Sequence, residues 1–168
     1  MGLFGRKKNN EPKAETAIEN KGDARLQKLL EELMQNAVAL VEPGIEEVDT
    51  VFVIGLIEQG YFYKPFYKIN GTLVKQHKIN TVLHSHIDIS NNQSFDMLRS
   101  GNELLAKIEA EFSGSDKDVP TMLRLTYSLH SGKFDSEFAY DKTFSNHKTR
   151  TAQDVYEDWY QEIENSGC

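Results

Sequence analysis

The hydrophobic period of this chain changes at Pro43-Gly44, and that change restricts the folds open to it. Before it, Leu26, Leu29, Leu30, Leu33, Ala37 and Leu40 recur at spacings of three and four, which places them on one face of a helix. Pro43-Gly44 stops that helix. After it the period falls to two. "TVFVIGLIE" (50–58) is nearly all apolar, as a strand covered on both faces has to be. "YFYKPFYKI" (61–69) is rich in aromatics, and Pro65, lacking a backbone N–H, calls for an edge or bulged position. Asn70-Gly71 suits a two-residue hairpin turn into "TLVKQHKI" (72–79). The pattern therefore predicts a helix followed by three antiparallel strands.

Further along, Val82, His84, His86 and Asp88 alternate with Leu83, Ser85, Ile87 and Ile89, which suits a fourth strand through "LHSHIDIS" (83–90). A second helix is predicted over 93–112, with Phe95, Leu98, Leu105, Ile108 and Phe112 on its apolar face and Gly101 weakening its middle. "SGSDKD" (113–118) reads as a loop. "TMLRLTYSL" (121–129) and "KFDSEFAYD" (133–141) form a second hairpin about Ser131-Gly132. A closing helix starts near Thr151 and carries Ala152, Val155, Tyr156, Trp159 and Ile163 as its stripe. The order α-βββ(β)-α-ββ-α predicts an α+β fold, an antiparallel sheet of about five to six strands with helices packed on it. Residues 1–22 are polar, lack periodicity and contain Pro12 and Gly22, so they read as a flexible N-terminal arm. The first helix is then expected from Asp23, and residues 23–168 as a single α+β domain.

Charge narrows the partners. The chain carries a net −7, but its arm carries +2, from five basic residues against three acidic ones, so the remainder carries −9. An acidic body is unsuited to nucleic acid, whose phosphates need Lys and Arg, and is suited to a basic protein. No apolar run is long enough for a membrane span, and "MGLFGRKKNN" lacks the apolar stretch of a secretory signal. The one cysteine, Cys168, has no internal partner, which fits a reducing cytoplasm. A cytoplasmic location without a membrane partner is the expectation.

Two groups of residues invite a chemical reading. His84, His86 and Asp88 have the alternate spacing that metallohydrolases use. On a strand, residues i and i+2 lie about 6.5–7 Å apart on one face, so two imidazoles can meet at one metal. A catalytic zinc needs about three protein ligands and an open position. Asp88 lies too far along to be the third unless the strand ends at His86, and His77, His130 and His147 each stand alone. The chain has no Gly-x-Ser-x-Gly elbow, no internal cysteine and no phosphate-binding glycine loop. The expectation is a non-catalytic protein without metal or cofactor, and a small hydrolase using His84 and His86 is the alternative. The aromatics Tyr61, Phe62, Tyr63, Phe66 and Tyr67 are expected to pack in the core rather than to stack on bases. The second group is acidic. Asp135, Glu137 and Asp141 fall on the strand face opposite Phe134, Phe138 and Tyr140, and the closing helix adds Asp154, Glu157, Asp158, Glu162 and Glu164. An unpaired acidic face of this kind can dock a basic protein, and carboxylates can occupy a groove built for phosphates.

The second hairpin also carries a resemblance. "SGKFDSEFAYD" (131–141) resembles the Asp-Gly-Lys-Phe-x-x-x-Phe-x-Tyr-Asp signature of the YezG-like immunity proteins, bacterial antitoxins paired with LXG-type polymorphic toxins. The match falls on Gly132, Lys133, Phe134, Phe138, Tyr140 and Asp141. The layout is similar too, including the Tyr63-Lys64-Pro65 element of the aromatic hairpin. The chain departs from the pattern at "VPTM" (119–122), where the family often has a Trp, in a longer 80–92 segment and in its arm. The resemblance implies a cytoplasmic protein that binds and neutralises a cognate secreted toxin, frequently a nuclease, by occluding its active site. Asp135, Glu137, Asp141, Asp154, Glu157 and Asp158 are then the expected contacts. His84, His86 and Asp88, in the divergent segment, are candidates for partner specificity. A non-inhibitory acidic adaptor is a further alternative.

Overall fold

The strand at the centre of the sheet is the one whose residues are apolar on both faces. The computed structural model describes residues 17–167. They form α1 (Ala17–Leu40), a 3-10 segment (Glu42–Glu47), β1 (Val48–Ile57), β2 (Tyr61–Ile69), β3 (Thr72–Lys75), a second 3-10 segment (Gln76–Thr81), α2 (Asn91–Ser113), β4 (Met122–Ser128), β5 (Phe134–Ala139) and α3 (Ala152–Asn165). The fold is α+β, with one five-stranded antiparallel sheet in the order β3-β2-β1-β4-β5. Among the described residues no helix is long and apolar enough to cross a membrane.

Alternation along β1 divides the core in two. Val51 and Val53 face α1 and α2 together with Tyr63, Tyr67, Leu123 and Leu125. Phe52, Ile54 and Leu56 face α3, where Phe66 and Trp159 join them. The sheet is thus a middle layer, and the near-continuous apolar run of β1 follows from being covered twice. Tyr63 and Tyr67 tie the first two layers together, because their buried hydroxyls each donate at 2.8 Å, to the carbonyls of Leu33 and Ala37 in α1. Asn70 and Gly71 both have positive φ, 49° and 81°, the geometry of the tight turn that "Asn-Gly" signals. Pro65 fits because β3 pairs with β2 only over Phe66–Ile69, which leaves Pro65 beyond its reach.

Four expectations are corrected. α1 starts at Ala17 rather than Asp23, since nothing between them breaks a helix except Gly22, which it tolerates at some cost. Residues 1–16 of the expected arm lie outside the described residues. β3 ends at Lys75 and the chain turns into the 3-10 segment, burying Gln76 and Ile79. No fourth strand follows. Leu83 and Ile87, four apart, are the buried positions of 82–90, whereas His84, Ser85, His86 and Asp88 are exposed. Side chains supply the backbone partners that a neighbouring strand would have given. The Glu47 carboxylate accepts from the N–H groups of His84 and Ser85, and Asn80 both donates to and accepts from the backbone of Ile87. Finally, Phe95 is 66% exposed, because α2 is rotated to bury Met97, Gly101, Leu105, Ile108 and Phe112. Gly101 fixes that rotation: a Cβ there would lie 2.1 Å from Cδ2 of Tyr63, so the ring of Tyr63 takes the place of a side chain.

Candidate functional site

α3 covers one half of its sheet face and leaves the other open. Thr151 caps the helix, with the Thr151 side chain accepting from the Asp154 N–H while the Asp154 carboxylate accepts from the Thr151 N–H. The stripe Val155, Tyr156, Trp159 and Tyr160 then packs over β1 and β2. Phe66 stands at the centre of this packing, with ring centroids 5.1 Å from both Trp159 and Tyr160 and 5.8 Å from Tyr156. Along its margin the helix forms an open groove of about 430 Å³ with β4 and β5.

The register of the hairpin decides what lines that groove. Arg124 stands opposite Glu137 and Thr126 opposite Asp135. Leu123, Leu125 and Tyr127 take the other face into the core, so Asp135 and Glu137 rise on the α3 side, where Glu162 and Trp159 also line the groove. The Arg124 guanidinium lies 5.3 Å from the Trp159 ring centroid, an arrangement that attracts a cation to the ring face. Its Nη1 is 3.4 Å from Glu162 and 3.9 Å from Glu137, and its buried Nε has no hydrogen-bond partner. Asp135 has Lys133 at 3.8 Å. These are long, solvent-screened pairs that add little stability. Two carboxylates share one guanidinium, which leaves negative charge in excess at the groove.

The remaining predicted residues are placed elsewhere. Asp141 is exposed just past β5, and its carbonyl accepts from the Thr121 hydroxyl at 2.6 Å. Asp154 is engaged as the α3 cap. Glu157 meets Lys75 at 2.6 Å and accepts from Gln153; burial pushes its carboxyl up, but these partners outweigh that and hold it below its ordinary value. Asp158 pairs with Arg150 at 2.5 Å. The acidic face expected to be unpaired is therefore largely paired, and at the groove Asp135, Glu137 and Glu162 keep only contacts of 3.4–3.9 Å. His84 and His86 are exposed on their loop and do not line the groove, and Asp88 accepts from the N–H of Ser90 ahead of α2. Among the described residues no three His, Cys, Asp or Glu side chains are grouped so as to hold a metal ion.

Sequence reasoning missed Arg124 and its contact with Trp159. Arg124 alternates with Leu123 and Leu125, so its facing was legible, but that α3 sets Trp159 and Glu162 against it was not. Comparison with known proteins finds no matching family model, and no curated protein matches the chain.

Proposed function

We propose that this protein is a cytoplasmic immunity protein that binds a cognate secreted toxin and neutralises it by occluding its active site. The observation that carries this reading is the convergence of Asp135, Glu137 and Glu162 on one open groove at the sheet margin. Such a surface attracts a basic partner and steers its approach. If the toxin is a nuclease, its phosphate-binding groove has the complementary charge. The resemblance of "SGKFDSEFAYD" to the immunity signature supports the same reading, and it falls on the strand that lines the groove.

Calorimetric titration with the toxin encoded by the neighbouring gene tests it, together with survival of cells expressing that toxin. A tight complex and restored growth are expected. Absence of a complex, or a complex without protection, overturns the inhibitory role. The second outcome would point to an adaptor that binds without inhibiting.

A further inference from the structure

β5 is the last strand of the sheet, and the backbone alternation shows which of its groups face outward. The Thr121 N–H donates to the Ala139 carbonyl, and the Ser128 N–H donates to the Lys133 carbonyl. The odd-numbered residues of β5 therefore turn their N–H and C=O groups toward β4, and Ser136 and Phe138 turn theirs away from it. Side chains alternate as well. Asp135 and Glu137 stand over the groove, while Phe138 lies on the opposite face, half-buried against Phe112, with Tyr140 half-exposed beyond it.

An open edge of this kind is a template for another strand. A second copy of β5 is a poor occupant, because antiparallel pairing about Ser136 sets Asp135 of one copy across from Glu137 of the other, and like charges directly opposite repel. The same carboxylates favour a basic strand. We infer that the outer edge of β5 takes an extended segment of a partner protein as an added strand. That segment carries Lys or Arg at alternate positions, over Asp135, Glu137 and Glu162, and apolar residues between them, beside Phe138. The inference deepens the immunity reading, and rests on it only in taking the partner to be the toxin. Main-chain bonds would supply affinity and alternate side chains specificity.

A fluorescein-labelled octapeptide of alternating Lys and Val serves as the probe, with an alternating Glu-Val peptide as control. Anisotropy at low salt should show binding of the Lys peptide only. Ser136→Pro removes an outward N–H without touching a bond to β4, and edge strands tolerate proline there. It should weaken binding at least about tenfold, as should Asp135→Lys with Glu137→Lys. In the wild-type protein, the bound peptide should slow amide hydrogen exchange at Ser136 and Phe138 and leave Asp135 and Glu137 unchanged. Failure of the peptide to bind, or exchange at Ser136 and Phe138 unaltered by it, overturns the added strand. So does equal binding by a folded Ser136→Pro variant; should that variant not fold, the exchange measurement decides alone. A toxin held equally by wild type and Ser136→Pro removes the edge and keeps the immunity reading. A toxin that wild type does not bind, beside peptide protection on β5, does the reverse.

Discussion

Glu58 shows how much one carboxylate can organise. At the end of β1 it accepts from the N–H groups of Thr143, Phe144 and Ser145 and from the hydroxyls of Thr143 and Ser145, pinning the segment that leads into α3. Burial pushes its carboxyl up, but the bonds from Ser145 and Thr143 outweigh this and hold it at about 2. Glu47 is also held at about 2, by the N–H of His84 first and by the Asn70 and Ser85 side chains after it. For a carboxyl with a lowered folded pKa, the stabilisation is complete above its unfolded value of 4.5 and is lost as pH falls toward about 2. Urea midpoints measured from pH 7 to pH 2 should therefore drop through that window. A Glu47→Gln, Glu58→Gln variant should start lower at pH 7 and lose less on acidification. Gly101 gives a second residue-scale prediction. Gly101→Ala gains helix propensity but drives a methyl into the Tyr63 ring. Overpacking costs about 1–3 kcal/mol and should win, lowering stability in urea denaturation.

At the scale of the element, period and turn chemistry located what local sequence controls. β2 spans the predicted residues, the Asn70-Gly71 turn has the required positive φ, and α3 starts after Thr151. Thr151→Ala should cost about 1 kcal/mol in thermal or urea unfolding, because it removes one half of the reciprocal cap. In segment 82–90 the alternation is real, but side chains rather than a neighbouring strand hold its backbone. Glu47 and Asn80 lie 37 and 7 residues from the atoms they hold, and no window on the segment contains Glu47. Phe95 is exposed for a related reason. Which stripe of α2 is buried depends on where Tyr63 of β2 fits against Gly101.

For the whole molecule, the layering decides which charges are available to a partner. Glu157, Asp158 and Asp154 are engaged locally, whereas Asp135, Glu137 and Glu162 surround a groove that α3 leaves open. If that groove receives the toxin, reversing Asp135 and Glu137 to Lys should slow association at low salt and flatten its salt dependence. Stopped-flow mixing with the toxin measures both. Reversal of Asp158 should change the on-rate less, because Asp158 does not line the groove. An on-rate unchanged by reversal at the groove would place docking elsewhere on the molecule.

The sequence by itself determined the α+β class, most of the strands, the buried stripes of α1 and α3 and the facing of Asp135 and Glu137 opposite Phe134 and Phe138. These follow from periods of two and of three to four, which a chain carries locally. Only the tertiary structure decided that α3 and β5 border one groove, that Arg124 sits against Trp159 within it, and that His84 and His86 lie on an exposed loop away from it. Arg124 and Glu162 are 38 residues apart. Whether two such groups meet depends on how far a helix extends across a sheet, which is set by the packing of Phe66 against Trp159 and Tyr160 and is written in no local stretch of sequence.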